Sequence, residues 1–304
     1  MDYVLITSAY NEAKYISKTI ESVVQQKHLP LQWIIVSDNS TDGTNDIIKE
    51  YALKYPLISF VLYKNQAVIK SSLGRVSKRV VACVREGMKY ITVNYDYIGF
   101  IDADISFDAY LFDTLLKKFE ENTRLGLGGG YVYNVYGDKK YPYFVFPGQV
   151  SGALQFFRKE CWNQIGGYYP GGHHDYFAVK SCMMHNWEVR SFEDLEILHF
   201  KNISSLGANR LKIGFYLGQM DYICGELFIY AFLRAVSQIT HKPFLLGSCM
   251  RVAGYIYSSF TRTPKQVPAN LLKFLRKEQV KFLIGFYKKF RVFGKSASSE
   301  RKPL

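Results

Sequence analysis

Tyr97-Ile98-Gly99-Phe100-Ile101-Asp102-Ala103-Asp104 is the stretch on which the reading of this chain turns. A run of β-branched and aromatic residues predicts a buried strand, and this one ends in two carboxylates a single residue apart. In an open α/β sheet, ligands bind outside the carboxyl ends of the strands, so both acids would project into a crevice. Two hard oxygen donors there suit Mg²⁺ or Mn²⁺, which bind through one or two carboxylates plus substrate phosphates. Asp-x-Asp alone is an ordinary turn composition. Its weight comes from what surrounds it.

Upstream, residues 4–7 read as a first strand running into Ser8-Ala9-Tyr10-Asn11-Glu12, and Ile16, Ile20, Val23 and Val24 then recur at helical spacing. Trp33-Ile34-Ile35-Val36 is a second buried strand, ending in the polar turn Ser37-Asp38-Asn39-Ser40-Thr41-Asp42-Gly43-Thr44 ahead of a helix over 45–53. A third strand over 58–62 and a basic helix over 74–88 lead back to the Asp102 strand. Strand alternating with helix predicts an α/β fold with a doubly wound, mostly parallel sheet, so three polar strand ends converge on one crevice. Taken singly, Asn11 and Asp38 also read as simple helix caps. No Gly-x-Gly-x-x-Gly follows the first strand and no P-loop lysine motif occurs, which disfavours dinucleotide and P-loop sites.

Thr7 to Glu12, then Val36 to Thr44, then Asp102-Ala103-Asp104, in this order and spacing, resemble the family 2 glycosyltransferases of the GT-A fold over roughly residues 1–200. The resemblance implies that the first two strand ends hold the nucleotide of a sugar donor, UDP being the expected one. Tyr10 would lie near the base, with Thr7, Ala9 and Glu12 alongside and Asp38 reading base or ribose. Asp102 and Ala103 would face the ribose or metal-bound water, and Asp104 would bind the Mn²⁺ or Mg²⁺ that bridges the diphosphate. Where the family has a Gly before a helix, this chain reads Gly74-Arg75-Val76-Ser77-Lys78-Arg79. Arg75 or Arg79 would neutralise the diphosphate, Arg75 being the first choice; a solvated helix face is the alternative.

Further on, a helix over 109–121 precedes Leu125-Gly126-Leu127-Gly128-Gly129-Gly130-Tyr131, where glycine in a strand marks close approach of a ligand or another strand. The loop Gly166 to Asp175 places Asp175 where the resemblance puts the general base, the carboxylate that takes the acceptor hydroxyl proton. The family's acidic pair is here His174-Asp175, so the roles of His173 and His174 stay open, and Asp175 also reads as a cap for a helix over 176–184. An isolated His in an apolar strand is usually a core residue; the resemblance makes His199 a further metal ligand. Glu193 and Asp194 read as a turn.

At 304 residues and 48% hydrophobic, the chain can bury a large core. Five scattered cysteines without Cys-x-x-Cys argue for a reducing compartment, and the start runs directly into a strand pattern without a signal-like segment. From Thr261 onward twelve Lys/Arg face only Glu278 and Glu300, so the first 260 residues carry only about +3 of the net +13. Residues 213–239 and 244–260 predict helices too charged to span a bilayer, entering it partly or forming a homodimer interface. Over 271–293, Leu271, Leu275, Phe282, Phe286 and Phe290 line one side with lysines flanking, a basic amphipathic helix suited to an anionic membrane surface, or else one packed on its own domain.

The expectation is therefore a catalytic GT-A domain over 1–206, a helical, basic, membrane-associating region over 207–294 and a disordered tail over 295–304. It would be an inverting, metal-dependent transferase, cytoplasmic and peripheral on the inner face of the membrane, moving a sugar from a nucleotide donor to a lipid-linked glycan acceptor of cell-surface polysaccharide synthesis. A non-catalytic assembly protein with a decayed site is the alternative. A sugar-phosphate nucleotidyltransferase would want a Gly-rich, Arg-containing loop after the first strand, and nucleic acid suits the amphipathic tail less well than membrane.

Overall fold

The computed structural model describes residues 1–64, 75–143, 148–170, 172–201, 210–239 and 244–299; the side chains of 75–76, 210 and 286–299 lie outside the description. The chain divides into two compact units, Met1–Leu206 and Gly207–Leu304.

In the first unit, β1 (Tyr3–Ala9), β2 (Gln32–Asp38), β3 (Ile58–Tyr63) and β4 (Tyr97–Asp102) pair in parallel in the order β3-β2-β1-β4. The helices α1 (Ile16–Val24), α2 (Thr44–Lys54) and α3 (Arg75–Met88) make the crossovers. The chain then continues through β5 (Ile105–Phe107), α4 (Leu111–Glu121), β6 (Leu125–Tyr136), β7 (Lys139–Pro142), β8 (Leu154–Arg158), α5 (Lys159–Ile165), α6 (His174–Met184) and β9 (Glu188–His199). These strands extend the sheet as β4-β8-β6-β9-β5, with β7 added on β6. Here β8 runs antiparallel to both β4 and β6, while β9 is parallel to β6.

Period-two alternation sorts the strand side chains into two cores, one on each face of the sheet. Tyr3, Leu5, Trp33, Ile35, Tyr97 and Phe156 pack with α1, α2 and α4. Val4, Ile6, Ile34, Val36, Ile98, Phe100 and Phe157 pack with α3, α5 and α6. The result is three layers, with β1, β2 and β4 ending side by side because Ser8 aligns with Val36 on one side and Asp102 on the other.

The β6 glycines serve packing between protein groups. A Cβ at Gly129 would lie 2.7 Å from the Leu154 carbonyl, and one at Gly130 would lie 2.4 Å from the Leu195 carbonyl. Glu193 and Asp194, expected in a turn, lie inside β9. There the register jumps from Gly130↔Phe192 to Tyr131↔Glu196, a bulge that Lys118 anchors through Asp194 at 2.7 Å.

The second unit is helical: α7 (Arg210–Ile223), α8 (Phe228–Ser237), α9 (Leu245–Phe260) and α10 (Ala269–Ser299). The segment expected as one helix over 213–239 breaks at Gly225, whose φ of 79° ends α7 in a left-handed turn; residues 240–243, between the two expected helices, lie outside the described residues. Helices α7 and α9 cross backbone to backbone, since a Cβ on Gly218 would reach to 1.7 Å from the Arg251 carbonyl and one on Gly254 to 2.0 Å from that of Phe215. Leu271 and Leu275 of α10 are buried. The first two turns of its apolar stripe are therefore withdrawn from solvent, while Phe286 and Phe290 fall among the undescribed side chains. The helix continues to Ser299, so residues 295–299, expected to be disordered, are helical; no Pro interrupts before Pro303, and 300–304 lie outside the described residues.

Candidate active site

The ends of β1 and β2 are laced together by side chains that accept from backbone N–H groups. Ser40 Oγ takes Asn11 N at 3.1 Å, Thr44 Oγ1 takes Glu12 N at 2.8 Å, Asp42 Oδ2 takes Ala13 N at 3.0 Å and Asn11 Oδ1 takes Thr41 N at 2.9 Å. Asn11 and Asn39 both adopt positive φ, which Asn tolerates better than most residues. Asn11 thus ties two loops together and caps no helix, and Asp38 is not a cap either. Its Oδ2 accepts Arg79 Nε at 2.6 Å and its carbonyl accepts Arg79 Nη2 at 3.0 Å.

The same guanidinium lies over the Tyr10 ring, 3.6 Å from its centroid. Tyr10 is substantially exposed while Asp38 is buried, so Arg79 joins a wet aromatic platform to a dry carboxylate. Arg75 opens α3, and its side chain is not described. Thr7 and Ala9 are fully buried; Thr7 Oγ1 accepts the Trp33 indole N–H at 3.0 Å, so the structure sets these two behind the crevice wall and not on its surface.

At the end of β4, Asp102, Asp104 and His199 each offer a ligand atom within 4.8 Å of the others. Ala103 between the two acids is buried. Pairing of β5 with β9 sets His199 opposite Ile105, and Phe200 N donates to the Asp104 carbonyl at 3.0 Å. His199 Nε2 lies 3.3 Å from Asp104 Oδ2 and its Nδ1 lies 3.2 Å from Asn134 Oδ1. With Nδ1–H donating to Asn134, the Nε2 lone pair is left facing the acids, the usual way a second partner orients a ligating imidazole. Glu12 reaches the same region and pairs with Lys201.

Burial, then the neighbouring Asp104, pushes the Asp102 carboxyl up to about 7, against the pull of His199. Burial opposes charge on His199, but the hydrogen bond and charge of Asp104 outweigh it and raise the imidazole. Two carboxylates and an oriented imidazole thus crowd one corner. This oxygen, oxygen, nitrogen set fits Mn²⁺ or Mg²⁺.

Asp175 stands in the first turn of α6, after His173 in a left-handed conformation (φ 57°). The segment Gly152-Ala153 links it to the acids: Ala153 O accepts Asp102 N at 3.0 Å, and a Cβ at Gly152 would lie 3.0 Å from Asp175 Oδ2. A side chain larger than Gly at 152 would therefore crowd this carboxylate.

Sequence reasoning missed Asn134 and undervalued Arg79. A lone Asn inside a Tyr/Val strand carries no signal, and Arg75 and Arg79 share a helix face four residues apart, so only tertiary placement separates them.

Comparison with known proteins follows the same outline. The family model described as Glycosyl transferase family 2 matches residues 4–187. Glycosyltransferase GlyA of Streptococcus pneumoniae is 23% identical over 74% of this chain and 29% of its own length. The putative teichuronic acid biosynthesis glycosyltransferase TuaG of Bacillus subtilis is 34% identical over 38% of this chain and 40% of its own. The chain thus spans well under half the length of these curated relatives. Among solved structures, the mannosyltransferase PcManGT from Pyrobaculum calidifontis in complex with GDP-Man and Mn²⁺ superposes with a TM-score of 0.54 at 14% identity, covering 96% of this chain and 82% of that one. TarS of S. aureus in complex with UDP-GlcNAc gives 0.52 at 16%, covering 86% and 74%. At such identities both speak for the fold alone, and that fold is GT-A.

Proposed function

The chain belongs to glycosyl transferase family 2, and from that premise we propose that it moves a sugar from a nucleotide donor, UDP-linked, to a hydroxyl of a lipid-linked glycan acceptor with inversion at the anomeric carbon. The observation that carries this reading is that one segment, Gly152-Ala153, meets both acidic groups: Ala153 O accepts the N–H of Asp102, a member of the Asp102/Asp104/His199 cluster, and the Asp175 carboxylate lies against Gly152.

Tyr10, Asp38 and Arg79 bind the nucleoside end, with Glu12 and Lys201 completing the rim. Asp104 and His199 would hold the divalent cation, with Asp102 beside them. Bound there, it would supply Lewis-acid stabilisation of the departing diphosphate. Asp175 accepts the acceptor hydroxyl proton as the new bond forms on the face of the sugar opposite the leaving group. Holding the two substrates in line contributes a large part of the rate.

The second unit is the membrane-facing part. Among the described residues no helix is long and apolar enough to cross a bilayer. Phe228, Phe232 and Val236 form an exposed stripe along α8, and Lys273, Arg276, Lys277 and Lys281 are exposed on α10. Apolar surface beside surface cations suits an anionic leaflet, which supports a cytoplasmic, peripheral location.

The test is a thermal-shift panel of nucleoside diphosphates with and without Mn²⁺, since a ligand that binds only the native state raises its melting temperature. UDP with Mn²⁺ is expected to raise it, UDP alone much less. In Asp104→Ala the Mn²⁺-dependent increment is expected to vanish. A larger shift with GDP keeps the mechanism and changes the donor; no shift with any nucleotide overturns the reading.

A further inference from the structure

Ser77 and Arg79 lie two residues apart near the start of α3. Residues so spaced project from different sides of a helix. On one side Arg79 grips Asp38 and covers Tyr10. On the other, Ser77 Oγ accepts the backbone N–H of His174 at 3.0 Å and lies 2.7 Å from His174 Nδ1. His174 opens α6 and Asp175 is its next residue. The first four N–H groups of a helix lack intrahelical partners, so a hydroxyl from α3 here supplies what no side chain at His173 does.

The hydrogen positions are consistent. With one proton and two lone pairs, Oγ accepts the backbone N–H and still bonds Nδ1 in either imidazole tautomer. Burial, assisted by His173 and opposed by Asp175, lowers the pKa of this imidazole. The ring packs edge-on against Tyr168 at 4.7 Å between centroids. Tyr168 O–H donates to Gln155 Oε1 at 2.8 Å, and Gln155 Nε2 donates to the Asp175 carbonyl at 3.3 Å. The Asp175 backbone is therefore held from both sides by groups that are themselves held.

We propose that Ser77 and His174 are positioning residues for Asp175, so that one turn of α3 sets the base and the nucleoside corner in register. The proposal rests on the assignment of Asp175 as the base. Neither residue touches the transferred group. They act by fixing where the carboxylate stands, and a misplacement of about 1 Å in such a group costs on the order of a hundredfold in rate.

The experiment uses the full chain with Mn²⁺, following UDP release from whichever of UDP-glucose, UDP-galactose, UDP-GlcNAc and UDP-GalNAc turns over fastest with water as acceptor. UDP–Mn²⁺ affinity is measured in parallel by calorimetry. Ser77→Ala is expected to lower kcat by about tenfold to a hundredfold with UDP affinity within about twofold of wild type, which also shows that the variant is folded. Ser77→Thr, which keeps the hydroxyl, should recover most of the rate. His174→Asn, whose amide falls near the Nδ1 position, should outperform His174→Gln, whose amide falls near Nε2. Asp175→Asn separates the two claims. If it is inactive while Ser77→Ala turns over like wild type, the positioning role is wrong and the base stands. If Ser77→Ala loses UDP affinity along with kcat, Ser77 belongs to the donor corner and the proposal fails. If Asp175→Asn remains active, the base assignment falls, and the proposal with it.

Discussion

Arg79 concentrates several roles in one side chain: a fork onto Asp38, a cation over Tyr10 and a place in the first turns of the helix that also carries Ser77. Lysine keeps the charge and loses both the fork and the planar stack. Arg79→Lys is therefore expected to weaken UDP binding by roughly tenfold, the loss of one charge-assisted contact and its stacking, while leaving binding of Mn²⁺ alone unchanged. Calorimetry with each ligand separately checks this, and an unchanged UDP affinity would reduce Arg79 to a brace for the loops. At this scale legibility depended on whether chemistry and position coincide. Asp102 and Asp104 were readable because a strand end brings neighbouring loops to its acids. Ser77 was not, because a hydroxyl on a helix looks the same whether it faces water or another helix terminus. Thr7 matched the family pattern, yet the pleat turns it inward to Trp33.

Among the elements, the alternation of strand and helix up to β4 was legible because parallel strands buried on both faces read as unbroken apolar runs. Downstream the order β4-β8-β6-β9-β5 was not, since nothing local specifies which distant strand lies next to which. The helical unit was read as charged and therefore non-spanning; the structure adds where those charges go. Arg251 donates to both oxygens of Asp221 at 2.7 and 2.8 Å, and Arg234 bridges Asp221 at 3.1 Å and Glu226 at 2.8 Å, all between α7, α8 and α9. Among the described residues Glu226 Oε2 has no hydrogen-bond partner. Burial, with Asp221 adding and the two arginines opposing, pushes Glu226 up to about 7. A carboxyl raised in the folded state binds more protons there than in the unfolded chain, so its ionisation takes stability away as pH rises from about 4.5 to above 7. Glu226→Gln removes that ionisation and keeps an oxygen for Arg234. The variant is expected to melt above wild type at pH 8, by an amount equivalent to roughly 1 to 3 kcal/mol, and level with it at pH 4. Thermal melts across that range check it, and a variant less stable than wild type at pH 8 would mean that Glu226 is ionised and needed by Arg234.

For the whole molecule, charge is what separates the two units, and it bears on how the chain would meet the lipid-linked acceptor proposed for it. The first 260 residues carry only about +3 of the +13, so the long-range field arises mainly from the C-terminal stretch. Deleting α10 would be a poor test of membrane docking. Leu271 and Leu275 are buried, and Gln279 Oε1 accepts Leu227 N at 2.9 Å, so its loss would unfold what it packs on. Lys273, Lys277 and Lys281 are exposed and repeat every four residues along the helix, which makes them removable without touching that packing. Each lysine near an anionic leaflet contributes about 1 kcal/mol, so changing all three to Gln is expected to lower partitioning onto vesicles containing phosphatidylserine by roughly a hundredfold. Binding to neutral vesicles, which draws only on exposed apolar residues such as Phe228 and Phe232, should change little. Co-sedimentation at two ionic strengths completes the measurement, because an electrostatic contribution weakens with salt and an apolar one does not. Equal loss on both kinds of vesicle would show that the substitutions had disturbed the fold. Undiminished binding to the anionic ones would assign docking to the apolar stripe of α8, leaving the cations of α10 some other anionic partner.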